Sequence, residues 1–326
     1  MQWCYQVQTT TINDFINQGY QVIFTTSFGF MADTLQAAKN NPEVISFHCS
    51  GYKRWKNMGT YFAEFYQLYY LNGLMAGALT KSNKVGYIVA HLIPEVVRHI
   101  NAFALGVRTV NPNATVYVRV INAWYDPGKA REAAEALIDE GVDALAFTED
   151  SATVIQVAQE HFNQSNGQEM IYVFAHYSPM YKYGPNVTVS GQLVHWEVIY
   201  EDILAKVYAG AYNTTNLENV DYWWMLKEGA VELGADFGMP INPQFVDDLK
   251  SVYYDDPILG NITVYDLVMI RLAQMQEETV LFDPFTGPIY AANGTLVLEP
   301  GERASHDFLW SINFYVEGVE GPPIGG

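Results

Sequence analysis

The sequence predicts a doubly wound α/β protein built as two lobes. Three observations carry this: a β-α-β-α-β-α-β order between Lys84 and Met180, a shorter run of the same kind before it, and a chain of 326 residues. At roughly 100–200 residues per domain, that length suggests two globular bodies. Alternating strands and helices imply parallel sheets, because right-handed crossovers place each helix on a sheet face.

Lys84–Met180 is the clearest stretch. Val85–Ala90 is an apolar run read as a strand. Pro94 opens a helix with Val96, Ile100, Phe103 and Val107 on one face. Val116–Ile121 is a strand, and Pro127 starts a helix carrying Ala130, Ala134, Leu137 and Ile138, closed by Gly141. Val142–Phe147 is a strand, Asp150 and Ser151 can cap a helix reaching about His161, and Ile171–Ala175 is a fourth strand.

The amino-terminal part reads as the end of a helix at Ile12–Asn17, a strand at Tyr20–Thr26, a loop at Ser27–Phe30, a helix from about Met31 to Lys39 and a strand at Val44–His48. Tyr61–Leu79 reads as one long helix whose Gly73, Ala76 and Gly77 allow close packing. Beyond Val189 come an amphipathic helix at Trp196–Tyr208, a strand-like run within Tyr222–Leu233, a helix over about 262–280, a hairpin around Asn293-Gly294 and a strand followed by a loop at Phe314–Gly321. The lobes are placed at 1–83 plus about 191–212, and at 84–190 plus about 213–326.

Charge and composition exclude several classes. Seventeen Lys+Arg against 36 Asp+Glu leave a net charge of −19, which repels polyanions, so no nucleic acid is expected as a partner. No apolar run reaches the ~18–20 residues of a membrane span. The two cysteines, Cys4 and Cys49, form no CxxC pair, and the seven His show no HExxH or tight cluster, so neither a metal nor another cofactor is expected. No GxSxG, P-loop or GxGxxG motif is present. Six N-x-[S/T] sequons stand at Asn113, Asn163, Asn186, Asn213, Asn261 and Asn293, against about two by chance pairing, which leans toward a glycosylated, exported surface.

In parallel sheets ligands bind beyond the carboxyl ends of the strands. That rule selects Thr26–Phe30 and His48–Lys53 in the first lobe, and His91–Glu95, Asn122–Asp126, Thr148–Ser151 and His176–Met180 in the second. Phe28, Phe30, Trp124, Tyr125, Tyr177 and Trp196 offer stacking faces for a flat solute. Glu95, Asp126 and Asp150 can accept hydrogen bonds, and Ser27 can bond heteroatoms. Each has a structural alternative: Phe28 and Phe30 as core, Asp126, Asp150 and Ser151 as helix caps.

The run Gly19–Phe30 (GYQVIFTTSFGF) resembles the basic membrane protein family of ABC-importer solute-binding proteins, which includes purine-nucleoside receptors. The likeness continues in Gly51-Tyr52-Lys53, Asn57–Phe62, Lys81–Tyr87, Ile93–Phe103, Trp124–Pro127, Phe285–Ile289 and Phe314–Gly321. The resemblance implies a type I periplasmic-binding-protein fold, with two doubly wound parallel-sheet lobes, a hinge and a central cleft. It implies a purine nucleoside or base as ligand, ABC permease subunits as partners, no enzymatic chemistry, and an extracytoplasmic protein held at the membrane by an upstream lipid anchor. Carried over by position, it points to Ser27, Phe28 and Phe30, to Asp150 and Ser151, and to Trp196.

Two departures stand out. Tyr177 occupies the place of an Asp suited to ribose hydroxyls, and Trp196 that of a Lys, which favours a free base or another planar solute over a nucleoside. The family's opening strand and helix, signal segment and lipid-bearing Cys have no counterpart here, so the expectation is a truncated or late-started chain with its first lobe incomplete. The rival readings are a nucleoside-processing hydrolase, a sensor domain and a sugar-binding receptor.

Overall fold

The computed structural model describes residues 2–277, 279 and 281–325, with side chains from residue 9 onward; the Cys4 side chain therefore lies outside the described residues. Along the chain run α1 (Gln2–Asn17), β1 (Val22–Thr25), α2 (Met31–Asn40), β2 (Ile45–Cys49), β3 (Met58–Ala63), α3 (Tyr66–Leu79), β4 (Lys84–Val89), α4 (Pro94–Val110) and β5 (Thr115–Val120). There follow α5 (Pro127–Asp139), β6 (Ala144–Thr148), α6 (Thr153–Gln164), β7 (Tyr172–Ala175), β8 (Thr188–Val194), α7 (Trp196–Tyr208), β9 (Asp221–Trp224) and β10 (Val231–Leu233). The last part holds α8 (Val246–Ser251), the hairpin β11 (Tyr253–Asp256) and β12 (Gly260–Thr263), α9 (Val264–Gln276), the hairpin β13 (Ile289–Tyr290) and β14 (Leu296–Leu298), α10 (His306–Trp310) and β15 (Val319–Glu320).

Packing divides the chain into two units, residues 1–64 with 195–230 and residues 65–194 with 231–326. The boundaries read from the sequence near 83, 190 and 212 thus lie at 64, 194 and 230 by packing. The first shift has a plain cause. Helix α3 lies against α4, with Gly73 and Gly106 facing each other across the contact: a Cβ on Gly73 would stand 2.1 Å from the Phe103 carbonyl oxygen, and one on Gly106 2.1 Å from that of Tyr70. Backbones that approach this closely belong to one packed body.

The first unit holds a four-stranded sheet in the order β1-β2-β3-β9, parallel throughout. Every residue of β2 and β3 is buried, as expected of parallel strands covered on both faces. On one side Ile12 of α1, Ile23, Ala37 of α2 and Val44 form a small core, and the Thr9 hydroxyl ties α1 to Asp33 of α2 at 2.8 Å.

The second unit holds a seven-stranded sheet in the order β10-β8-β7-β6-β4-β5-β15. It is parallel except for β10, which runs antiparallel to β8. The four strands read from the sequence occupy its centre, and α5 and α6 cover them through Ala130, Ala134, Leu137, Val154, Ile155 and Ala158.

Two readings are corrected. Tyr61–Leu79 is not one helix: Tyr61 belongs to β3, where it pairs with Cys49 of β2, and the helix begins at Tyr66. Thirteen of its 14 residues are buried, so no polar stripe marks where it starts, and periodicity alone does not separate a buried helix from a buried strand. At the carboxyl terminus the order is loop then strand, because only Val319–Glu320 reach β5, in parallel pairing. No helix among the described residues is long and apolar enough to cross a membrane.

Candidate ligand site

The carboxyl-end loops of the two sheets concentrate the unusual chemistry of the molecule. Among the described residues, three of the five non-glycine residues with positive φ stand there: Ser50 after β2, Asn122 after β5 and Tyr177 after β7. Positive φ costs a side-chain-bearing residue energy and clusters at functional positions.

In the first unit, β1 delivers the chain into Ser27–Phe30. Ser27 is exposed and Phe28 half-buried on this loop, whereas Phe30 packs back onto the small core of Ile12, Ile23, Ala37 and Val44. The loop is held from below by His48 of β2, whose Nε2 lies 2.9 Å from the Ser27 carbonyl oxygen and donates to it. His48 is fully buried, and burial, opposed in part by that bond, pulls its pKa down to about 4. The ring is therefore neutral at pH 7 and serves as a fixed donor. It fits only because residue 51 is glycine: a Cβ there would stand 2.0 Å from His48 Nδ1.

Trp196, the first residue of α7, is half-buried. Its ring meets Tyr61 edge-on at 5.8 Å, Phe62 at 6.4 Å and Tyr200 in a stack at 6.2 Å. Tyr200 in turn contacts Phe24, so Trp196 is the partly exposed end of an aromatic stack seated on β1 and β3.

In the second unit, β6 ends in Thr148-Glu149-Asp150-Ser151. Glu149, passed over by the sequence reading, is the organising group. Its carboxylate accepts the Ser151 amide N–H at 2.9 Å and the Ser151 hydroxyl at 2.9 Å. The Ser151 hydroxyl oxygen accepts in turn from Thr153 N–H at 3.2 Å, at the start of α6. The N-cap position of this helix is Ala152, which makes no side-chain cap bond; of the two caps expected, buried Ser151 holds the Thr153 N–H from one residue earlier, and Asp150 is exposed and makes no such bond. The Asp150 amide instead donates to the Trp124 carbonyl at 2.7 Å, stitching the loop after β6 to the loop after β5. Burial raises the Glu149 pKa to about 7, against the pull of its bonds to Ser151.

Trp124 is half-buried and meets the ring of His91, beyond β4, at 5.5 Å. Glu95 is half-buried in the first turn of α4. Asp126 caps α5 by accepting Lys129 N–H at 3.1 Å, and Tyr125 is exposed.

Beyond β7, His176 is buried with Nδ1 2.8 Å from the Tyr69 hydroxyl, which also reaches the Phe147 carbonyl at 2.8 Å and Thr148 Oγ1 at 2.9 Å. Burial, reinforced by His99, lowers the His176 pKa to about 3, so this network too is uncharged. Tyr177 follows with φ +72, while Ser178 N–H donates to the His176 carbonyl at 2.9 Å. That combination is the rare, strained form of the γ-turn. It sets the Tyr177 ring against Phe65 at 5.4 Å and His176 at 5.3 Å, half-buried.

Ser27, Phe28 and Trp196 thus belong to the first unit, and in the second a backbone bond joins the loops of Trp124 and Asp150. Phe30 and Ser151 stand behind the loops rather than at their tips. Sequence reasoning missed His48 and Glu149 as loop supports. The available signal was their position, each at the carboxyl end of an apolar strand. Among the described residues no group of three or more His, Cys, Asp or Glu is arranged to hold a metal ion.

Strand order, aromatic loop tips and buried loop supports are the setting in which the comparisons with known proteins decide the lineage. The family model for PnrA-like ABC transporter substrate-binding proteins, Bmp, matches residues 4–264. The chain belongs to the Bmp family. It is 36% identical over 305 residues to a purine-binding protein of Brucella abortus, covering 93% of this chain and 76% of that one. It is 35% identical over 301 residues to a Haloferax volcanii protein named for glucose binding in ABC transport, covering 92% of this chain and 65% of that one. A solved solute-binding protein of an ABC transporter system from Aeropyrum pernix superposes with a TM-score of 0.63 at 15% identity, covering 94% of this chain and 84% of that one. The type I periplasmic-binding-protein fold expected from the sequence is the fold observed, and this Bmp chain is an ABC transporter substrate-binding protein of an extracytoplasmic family.

Proposed function

We propose that this Bmp protein captures a purine base or purine nucleoside outside the cytoplasm and hands it, chemically unchanged, to the permease subunits of an ABC importer. The observation that carries the reading is the pairing of aromatic faces with buried hydrogen-bonding supports at the carboxyl ends of both sheets, in a chain 36% identical over 93% of its length to a purine-binding protein. Phe28, Trp124, Tyr177 and Trp196 supply the stacking faces. Ser27, Glu95 and Asp150 read the polar edges. Phe30 and Ser151 hold the loops in place, together with His48 and Glu149.

Such a division of labour gives affinity and selectivity by different means. Stacking is tolerant of ring identity, whereas an unmatched buried donor or acceptor costs ~1–3 kcal/mol. Edge groups therefore decide which heterocycle is kept. With Tyr177 and Trp196 where a ribose-reading Asp and a Lys are expected, a free base fits this set better than a nucleoside. Anchoring at the membrane through an upstream lipid belongs to the same proposal.

A sugar is the second reading, favoured by the 35% identity to the protein named for glucose binding and by the suitability of Trp and Tyr rings for sugar faces. A nucleoside hydrolase would need a positioned acid or base. Glu149 has the pKa for it, but both its oxygens accept from Ser151.

Thermal denaturation in the presence of adenine, hypoxanthine, adenosine, inosine and glucose separates these readings. A purine that binds the folded state raises Tm, by the equivalent of ~2.7 kcal/mol at one hundred times Kd. A rise with glucose alone transfers the assignment to sugars. Release of free base from inosine, followed by chromatography, transfers it to the hydrolase.

A further inference from the structure

Six sequons exceed chance about threefold, and the structure sorts them sharply. Four stand on segments leading into the amino ends of strands: Asn113 before β5, Asn163 near the end of α6 before β7, Asn186 before β8 and Asn213 between α7 and β9. Asn261 lies on β12 and Asn293 in the turn between β13 and β14. No carboxyl-end loop of either sheet carries one.

A transferase must reach both the asparagine Nδ2 and the hydroxyl two residues on. Only two of the six sequons have both of these residues exposed. At Asn186 the partner Thr188 is fully buried in β8, its hydroxyl donating to the Gly184 carbonyl at 2.8 Å. At Asn163 the Ser165 hydroxyl donates to the Phe162 carbonyl at 3.0 Å, and at Asn261 the Thr263 hydroxyl donates to Asp266 at 2.7 Å while Asn261 Nδ2 is itself spent on Asp255 at 2.6 Å. At Asn113 the partner Thr115 is half-buried in β5, paired with Lys84 of β4. None of these four hydroxyl residues is exposed: Thr188 and Thr115 sit within paired strands, and Ser165 and Thr263 are half-buried at helix ends.

Asn213 and Asn293 differ. Both asparagines are exposed, as are Thr215 and Thr295. Each is a self-contained turn in which Oδ1 is the acceptor: from Thr215 N–H at 3.0 Å and the Thr215 hydroxyl at 2.7 Å, and from Thr295 N–H at 3.0 Å. Their bonds are local and solvent-exposed, so reshaping them in an enzyme groove breaks nothing in a sheet.

We infer that Asn213 and Asn293 are N-glycosylation sites. The donor is a polyprenyl-linked oligosaccharide. The amide nitrogen forms a bond to the anomeric carbon, the bond from that carbon to the lipid phosphate oxygen breaks, the lipid phosphate leaves with the electron pair, and the amide proton passes to a base of the transferase. The family's extracytoplasmic location places the chain where such donors act. The inference is independent of which solute is bound.

Folded, purified full-length chain is incubated with a single-subunit oligosaccharyltransferase and its lipid-linked oligosaccharide, alongside a sequon peptide as reactivity control. Intact-mass and glycopeptide measurements should show up to two added glycans, on Asn213 and Asn293. N213Q and N293Q should each remove one, and N186Q none. An unchanged mass while the control peptide reacts overturns the inference, as does modification that favours Asn113, Asn163, Asn186 or Asn261.

Discussion

Glu149 shows how a single side chain can govern a loop. Its carboxylate is buried, braces Ser151 through two bonds and is raised to about 7 by desolvation. A carboxyl whose folded pKa lies above its unfolded value binds its proton more tightly when folded. The resulting stabilisation is fully present below the unfolded pKa, near 4.5, and is lost as pH rises through about 7. Glu149→Gln, which mimics the protonated form, should therefore be more stable than the parent at pH 8, with the advantage shrinking toward pH 5. Urea denaturation at the two pH values reads this directly, and an advantage that does not change with pH would mean that Glu149 is not the titrating group.

His48 and His176 act in the opposite sense. Their lowered pKa values, about 4 and about 3, give stability that is present above about 6.5 and drains away as pH falls toward those values. Gly51 is tied to the first of them. Gly51→Ala forces a methyl into the His48 ring and should cost ~1–3 kcal/mol by overpacking, while loosening the Ser27–Phe30 loop and weakening ligand binding. Phe28→Ala and Trp196→Ala should each weaken purine binding by about 1–3 kcal/mol, the usual range for losing one base-stacking ring, and leave a cooperative unfolding transition. Calorimetric titration of both variants checks this, and normal affinity in both would remove these rings from the site.

At the scale of elements, α3 packs closely on α4 in the second unit. Gly73 and Gly106 face each other, and Gly77 lies against Val107, whose carbonyl oxygen would stand 2.4 Å from an added Cβ. None of the three has positive φ, so glycine is required here for approach rather than for backbone conformation. Gly73→Ala should destabilise by several kcal/mol or rearrange the pair, whereas alanine should raise stability at a solvent-exposed helical glycine whose backbone it can adopt. Chemical denaturation of Gly73→Ala against Gly128→Ala, the latter in the open first turn of α5, separates the two cases. Because α3 also carries Tyr69, whose hydroxyl reaches Phe147, Thr148 and His176, moving this helix also disturbs the loops beyond β6 and β7.

At the scale of the whole molecule, each of the two α/β units carries the proposed ligand contacts in the loops at the carboxyl end of its sheet. Asn213 stands on the segment entering the amino end of β9, so a glycan there stands away from the carboxyl-end loops proposed to read the solute. Removing it should leave purine affinity unchanged within a factor of two or so, the residue of local effects of a few tenths of a kcal/mol. Titration of the modified and unmodified chain is the measurement.

The alternation of apolar runs with amphipathic helices was enough to determine the central β4–β7 sheet with its helices, because periods of 2 and 3.6 are properties of local sequence. The ordered motifs from Gly19 to Gly321 determined the family and pointed to Trp196, and the rule of carboxyl-end loops located the segments that hold Ser27, Asp150 and Tyr177. Tertiary structure alone decided the rest. It split Tyr61–Leu79 into β3 and α3, because in a fully buried stretch neither period leaves a polar face to read. It turned Phe30 and Ser151 inward, and it raised His48 and Glu149 from anonymous strand-end residues to supports of the loops. Their roles come from desolvation and from partners in folded geometry, His48 on Ser27 and Glu149 on Ser151 at the head of α6, and no pattern along the chain encodes how deeply a group will be buried.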